Sequence, residues 1–306
     1  MFKIPEKIKK QGTAVALGYF DGIHLGHQAV LNTALRYAKE QKLVPVIMLF
    51  DVHPRKVILG KTPPMLKSEY KKREFLEKMG FTVVPFNFRE SMNYTPDEFI
   101  EKILIEGLNA KVVSCGFDYH YGKDGKGNAD TLHEEFEKRG ITAIAEAPIL
   151  FDGQKVSSTA IREYIANGEI DKANAMLGRH FSYDFVVRKG DGLGRVMGFP
   201  TINQCFPDDH VVPKYGVYAS KVFIDGKWYP AVTNVGIRPT VSAENMRSET
   251  CILDFSGDLY GKNVEVFLIK YLRPEIKFPD LRELSAQIEK DIEQARIIYD
   301  EVEKNG

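Results

Sequence analysis

Along the first half of the chain, apolar residues come in short unbroken runs separated by longer stretches with helical spacing. Thr13-Ala14-Val15-Ala16-Leu17 is such a run, and Leu43 to Leu49, Thr82 to Val84, Lys111 to Cys115 and Ile141 to Ala145 are others. Between the first two, Gln28 to Glu40 places Val30, Leu31, Ala34, Leu35 and Ala38 on one face of a helix. Ser68 to Met79 reads as a helix stopped by Gly80, and Asp130 to Lys138 as one closed at Arg139-Gly140. Thr95-Pro96-Asp97-Glu98 is a capping box with proline at the first helical position, opening a helix to about Gly107. Apolar strands alternating with helices predict a parallel α/β sheet of Rossmann-like type, covered on both faces. Ligands of such sheets bind beyond the C-terminal ends of the strands.

The pattern changes in the second half. Two short helices are predicted, Ser158 to Asn167 stopped by Gly168 and Ile170 to Leu177 stopped by Gly178. From about residue 181 a period of two takes over: Phe185 to Arg188, then Gly216 to Ile224 turned by Asp225-Gly226 into Trp228 to Thr233. Glu249 to Phe255 and Asn263 to Tyr271 form a further pair. These strands predict a small antiparallel sheet closed as a barrel. A last helix follows, capped by Asp280 and Glu283, with Leu281, Leu284, Ile288, Ile292, Ala295 and Ile298 as a stripe read as core packing. Two domains are expected, residues 1–180 and 181–306.

Composition narrows the class. The 306 residues are 43% hydrophobic and 27% charged, ordinary for a globular protein with two cores. Lys plus Arg and Asp plus Glu are both 42, so the net charge is zero. That argues against a general nucleic-acid binder and leaves a homo-oligomer open, since zero net charge favours association. Cys115, Cys205 and Cys251 are odd in number and widely spaced, as for reduced thiols. The residues Met1 to Glu6 lack the apolar core of a signal peptide, and no apolar run reaches membrane-span length. A cytoplasmic protein with no membrane partner is expected.

The candidate chemistry sits where strands end. Gly18-Tyr19-Phe20-Asp21-Gly22-Ile23-His24-Leu25-Gly26-His27 joins the first strand to the first helix. A helix start offers unpaired N–H groups and the positive end of the dipole to an anion. Gly22 and Gly26 let a phosphate approach the main chain, and His24 and His27 are expected on one helix face, both donating to that phosphate. Asp51-Val52-His53-Pro54-Arg55 follows the second strand, and Gly116 to Asn128 is a glycine-rich loop after the fourth. Val156-Ser157-Ser158-Thr159-Ala160-Ile161-Arg162 sets hydroxyls at a helix start with an arginine one turn in. Alone it is an N-cap with a solvated arginine; beside the histidines it reads as the second wall of a phosphate site.

In the second half, Gly190 to Asn203 is a glycine-rich loop ending Gly198-Phe199-Pro200-Thr201-Ile202-Asn203. It is neither a P-loop nor a dinucleotide fingerprint. Thr201 and Asn203 alternate with Ile202 and so point to one side, where a hydroxyl and an amide oxygen suit Mg²⁺. Glu249, expected on an inward strand face with Cys251, Leu253 and Phe255, is the candidate general base. Its pKa is expected to be raised at a barrel mouth, and the competing reading is a solvated strand-end glutamate.

These strings resemble two families. The His-x-Gly-His and Ser-Ser-Thr-x-Ile-Arg motifs resemble the nucleotidyltransferase half of bacterial FAD synthetases. The resemblance implies that Gly18, Phe20, Asp21, Gly22, His24, Gly26, His27, Asn128, Ser158, Thr159 and Arg162 bind ATP there. It implies that His24, His27 and Arg162 stabilise the reacting phosphates, and that His53, Pro54 and Asp118 lie on the flavin side. Val52 stands where that family often has proline. The Pro-Thr-x-Asn ending, the Glu249 to Phe255 run with Asp258-Leu259-Tyr260-Gly261-Lys262, and Asn234-Val235-Gly236-Ile237-Arg238-Pro239-Thr240 resemble riboflavin kinases. That likeness implies ATP binding by Gly192, Gly194, Arg195, Gly198, Thr201 and Asn203, with Mg²⁺ on Thr201 and Asn203; Ile202 replaces a usually smaller residue. Together they imply a bifunctional riboflavin kinase/FAD synthetase: riboflavin, FMN and ATP as substrates, FMN and FAD as product ligands. A kinase-only enzyme with a degenerate first half and a flavin-sensing regulator are the rival readings.

Overall fold

The computed structural model describes residues 6–50, 52–190, 192–237 and 246–305. Asp51, Asp191 and the Arg238-Pro239-Thr240 end of the Asn234 string lie outside the described residues, as do residues 1–5. The chain divides into two compact units, residues 1–63 with 69–157, and residues 64–68 with 158–306.

In the first unit, β1 (Thr13–Leu17), β2 (Val44–Phe50), β3 (Thr82–Phe86), β4 (Ala110–Gly116) and β5 (Thr142–Glu146) make a five-stranded sheet in the order β3-β2-β1-β4-β5. Every pairing is parallel. Helices α1 (Leu25–Gln41), α2 (Pro54–Leu59), α3 (Glu69–Lys78) and α4 (Ala129–Glu137) complete its main elements. Alternation along β1 explains the double cover. Val15 and Leu17 pack with Val46, Met48 and Val113 against Ile100, Leu104 and Leu132. Ala16 points the other way and joins Ile47 and Leu49 beneath Val30, Leu31 and Ala34 of α1. The chain fills one side of β1 with β2 and β3 and then crosses to place β4 and β5 on the other. The ends of β1 and β4 therefore form the switch point at which such sheets hold ligands.

The helix expected from Thr95 begins as read: Thr95 N–H donates to the Glu98 carboxylate and Glu98 N–H donates to Thr95 Oγ1. It is α-helical only over Pro96–Glu98 and widens to π geometry over Phe99–Ile105, burying Phe99, Ile100, Ile103 and Leu104. The loop expected after β2 contains a short helix, α2, which proline at its first position helps to start.

The second unit opens with α5 (Ser158–Asn167) and α6 (Ile170–Leu177). Its sheet holds β6 (Phe181–Val186), β7 (Thr201–Cys205), β8 (Gly216–Ile224), β9 (Lys227–Ile237), β10 (Met246–Ile252) and β11 (Asn263–Arg273). The order is β6-β11-β8-β9-β10-β7, antiparallel throughout. The Asp225-Gly226 turn has positive φ at both residues, as the expected hairpin requires. β6 starts four residues before the expected Phe185, with Phe181, Ser182 and Tyr183 all buried. The sheet curls until its edges meet: Arg188 N–H donates to Asn203 O, and Gln204 Nε2 donates to Phe185 O. Tyr183 on β6 lies against Thr233 of β9 and Ser248 and Thr250 of β10, a contact that the curl of the sheet allows; burial drives its phenol pKa upward. Within that interior, hydroxyls of Ser220, Thr233 and Thr250 link in a chain at 2.8 and 2.9 Å.

Helix α7 (Leu281–Asn305) lies on the outside of the barrel. Asp280 caps it by accepting N–H bonds from Arg282 and Glu283. Its Ile292, Ala295 and Ile298 pack on Val217, Ala219, Val232 and Ile269. Residues 64–68 are clipped into the same unit: Met65 N–H donates to Asp209 O, and Lys67 Nζ bonds Ser182 and Glu265. Burial lowers the Lys67 pKa, and the Glu265 carboxylate opposes that shift.

Candidate active sites

The first candidate site is the turn between β1 and α1. Phe20, Gly22 and Ile23 all have positive φ, which is strained for the two side-chain-bearing residues. Burial holds them there: Phe20 and Ile23 belong to the core beneath α1. A Cβ on Gly18 would stand 2.9 Å from the Phe20 ring, so glycine is needed at that position. His24 lies one residue before the helix that the spacing predicted to contain it, although its ring still stands beside that of His27. It is the N-cap, and its Nδ1 accepts the His27 N–H at 3.2 Å. An imidazole whose Nδ1 accepts an N–H carries its proton on Nε2. Its ring stacks on that of His27 at 3.6 Å between centroids, and Phe20 meets His27 edge-on. A Cβ on Gly26 would press on the His24 ring at 3.3 Å, so glycine there lets that ring keep its place.

Tyr19 fixes the other side of this turn, a role the sequence reading missed. Its hydroxyl donates to Glu69 at 2.9 Å, and the fully buried Lys72 bonds Glu69 and stands 4.0 Å over the Tyr19 ring. The ring of His53 lies 4.1 Å from the same tyrosine. His53 is the N-cap of α2, its Nδ1 accepting from Arg55 N–H, and Pro54 is the next residue. Asp118 sits after β4 on the surface, paired with Lys155. Asn128 caps α4 reciprocally with Thr131, which engages its side-chain carbonyl. In the second unit, Ser158 and Thr159 are the first residues of α5, and Arg162 Nε donates to Pro64 O at 2.6 Å.

The second candidate site lies on the barrel. Alternation was expected to point Glu249 inward with Leu253 and Phe255. β10 instead ends at Ile252, and the residues facing the interior are the fully buried Ser248 and Thr250. Glu249 and Cys251 face outward, toward α7. There they line a cavity of about 220 Å³ with Val217, Val232 and Thr201 from the sheet, Leu193, Met197 and Phe199 from the glycine-rich loop, and Phe278, Leu284 and Ile288 from the α7 side. The α7 stripe, read as core packing alone, thus divides: Leu284 and Ile288 line this cavity, while Leu281 is exposed.

Register sets the order of the polar groups. Asn203 on β7 pairs with Glu249 on β10, which pairs with Asn234 on β9; Thr201, Cys251 and Val232 form the next row on the same face. A second, more polar cavity of about 540 Å³ adjoins, lined by Arg195, Pro200, Ile202 and the Ser256–Tyr260 loop. Thr201 lines both cavities. The glycines of the loop have separate reasons. Gly192 and Gly198 take positive φ, whereas a Cβ on Gly190 would strike the Asn203 amide at 2.5 Å. One on Gly194 would strike Phe199 O at 2.4 Å, close to Thr201.

At the α7 wall, Arg273 forks onto the buried Asp291 through Nε at 2.9 Å and Nη2 at 2.6 Å, and Gln287 adds a third bond. Removing one partner of such a pair leaves an uncompensated buried charge. Asp291→Ala is therefore expected to destabilise the second unit by about 3–5 kcal/mol, read as a lowered unfolding midpoint in denaturant. An unchanged midpoint would show that the pair is not what holds α7 on the barrel.

A FAD synthetase family model matches residues 6–160, and a riboflavin kinase family model matches residues 177–299. The bifunctional riboflavin kinase/FMN adenylyltransferase of Bacillus subtilis is 36% identical over 298 residues, covering 94% of this chain and 93% of the relative. That of Haemophilus influenzae is 37% identical over 294 residues, covering 94% and 95%. A crystal structure from Streptococcus pneumoniae, described as a macrolide-efflux protein, superposes with a TM-score of 0.83 at 32% identity over 97% of this chain and 99% of that one. Among the described residues of this chain, no helix is long and apolar enough to cross a membrane.

Proposed function

The chain belongs to the bifunctional riboflavin kinase/FMN adenylyltransferases, and on that premise we propose where each of its two reactions takes place. It phosphorylates riboflavin to FMN with ATP, then joins FMN to the AMP part of ATP, releasing pyrophosphate and FAD. We assign adenylyl transfer to residues 1–180 and phosphorylation to residues 181–306, in a cytoplasmic protein whose cysteines are free thiols.

The observation that carries the kinase assignment is the pair of adjoining cavities that share Thr201. One is largely apolar and suits an isoalloxazine ring; the other is polar and suits a nucleotide. The reaction needs the two substrates to meet at a phosphate. Thr201 presents a hard oxygen donor at that junction, Asn203 follows two residues along the same face of β7 beside Glu249, and the bare Cα of Gly190 leans on Asn203, so the pair fits Mg²⁺ completed by phosphate and water. When bound, the ion neutralises charge on the phosphates. Glu249, next to Asn203 in register, takes the proton as the terminal ribityl oxygen attacks the γ-phosphorus and ADP leaves. The glycine-rich loop, with Gly192, Gly194, Arg195 and Gly198, covers the nucleotide.

For adenylyl transfer, a phosphate oxygen of FMN attacks the α-phosphorus of ATP. No covalent enzyme intermediate is needed, so the protein contributes position and charge neutralisation. The α1 start supplies N–H groups, His24 gives its Nε2–H and His27 its ring. Gly18, Phe20, Asp21, Gly22 and Gly26 shape the turn, and Ser158, Thr159, Arg162 and Asn128 keep the ATP-binding roles of the family motif. His53 and Pro54, beside Tyr19, serve the flavin side with Asp118.

The test is purified protein with riboflavin, ATP and Mg²⁺, the products separated by chromatography. FMN followed by FAD is expected, and both vanish when a chelator removes Mg²⁺. FMN alone would favour a kinase-only enzyme, and no product a flavin-sensing protein.

A further inference from the structure

The apolar cavity beside Glu249 carries hydrogen-bond acceptors that the phosphoryl transfer itself does not use. Asn234 stands in register with Glu249 on the neighbouring strand. Its Nδ2 donates to Glu275 Oε1 at 3.0 Å, while its Oδ1 is buried without a hydrogen-bond partner among the described residues. Glu275 reaches over β9 only because residue 236 is glycine: a Cβ there would stand 2.2 Å from the same Oε1. The contact with Glu275 sets the amide so that its carbonyl is the end left for a ligand. Both residues line the cavity that holds Glu249.

A buried acceptor left unsatisfied is costly, so the natural occupant brings a donor. A metal shared with Asn203 does not fit. Asn203 and Asn234 flank Glu249 on opposite strands, and two strand spacings separate them by roughly 9–10 Å. What does fit is a chain of hydroxyls lying across neighbouring strands, its last oxygen at Glu249. We propose that Asn234, oriented by Glu275, binds the ribityl chain of the flavin and so makes the kinase select a flavin carrying a polyol over the bare ring. The apolar walls then hold the isoalloxazine, and the acceptor row sets which hydroxyl arrives at the base. This rests on the reading of the cavity as the flavin site of the kinase.

The test compares riboflavin with lumiflavin, the same ring system without the ribityl chain. Riboflavin is followed by its kinase KM, and lumiflavin by its inhibition constant against riboflavin. Asn234→Ala is expected to raise the riboflavin KM about tenfold, the worth of one well-placed hydrogen bond near the upper end of its range, and to leave lumiflavin inhibition within about twofold. Glu275→Ala shifts the same two constants in the same pattern by less. If Asn234→Ala weakens both ligands alike, or neither, the ribityl assignment is wrong. Cys251→Trp and Ile288→Trp, which fill the cavity from its two walls, separate that failure from a deeper one. Both are expected to weaken riboflavin and lumiflavin together. FMN adenylylation in the same preparations reports that each variant is folded. Should the folded fillers change neither constant, the cavity is not the flavin site, and both readings fall.

Discussion

Purified His27→Ala protein is expected to turn riboflavin into FMN at the parent rate and then to accumulate it, with FAD formation reduced by about 10²–10³-fold, the cost of losing one preorganised donor to a reacting phosphate. His27 is the better of the two histidines to remove. His24 has a second task as the cap of α1, where its Nδ1 accepts the His27 N–H, and its loss as alanine would also cost about 1 kcal/mol of helix stability. His24→Asn separates the two tasks, since asparagine caps as well as any residue. It should keep the unfolding midpoint and still lose FAD formation if the imidazole has the phosphate-binding role proposed for it. FAD synthesis within threefold of the parent in folded His27→Ala would remove that imidazole from the reaction. A parallel loss of FMN formation would overturn the division of the two reactions between the halves of the chain.

Much of this architecture was legible because it is local. The unbroken apolar run at Thr13–Leu17, the glycines after it and the helical spacing from Val30 to Ala38 together specify strand, turn and helix, and the structure has β1, the turn and α1 in those places. Asp225-Gly226 fixed its hairpin for the same reason. What spacing could not supply is which side of a local element meets which distant one. His24 and His27 are three apart, and a continuous helix would put them on one face. The helix begins one residue later than that reading needs, so His24 becomes a cap. Glu249 shows the same limit in a strand. Alternation correctly pairs it with Cys251, yet cannot say which face is the barrel interior. That is decided by Ser248 and Thr250 meeting Thr233 and Tyr183 from strands far away in sequence.

The residues that went unread have a common cause as well. Arg273, Glu275 and Asp291, and Asn234 beyond its place in the string quoted above, gain their meaning only from β9, β11 and α7 meeting around one cavity. Lys72 is similar: in sequence it is one of several charged residues of α3, yet it is fully buried over Tyr19. A buried lysine in a helix rich in charge gives no periodic signal, since its neighbours Lys71 and Arg73 look alike on paper and pair with Glu74 and Glu77 at the surface.

The complementary prediction concerns Glu249→Gln. This change keeps the size of the side chain in the cavity and removes its capacity to accept a proton. The ribityl hydroxyl must lose its proton as it attacks, and Glu249 is the carboxylate in register with the Asn203 of the proposed metal pair. Kinase kcat is therefore expected to fall by about 10²–10⁴-fold, the usual contribution of a positioned base, with little change in riboflavin KM, since the flavin contacts proposed above are the cavity walls and Asn234. FMN adenylylation in the same preparation should match the parent, the reverse of the His27→Ala result. Unchanged turnover would leave Glu249 as a wall of the cavity, with the proton passing directly to a phosphate oxygen.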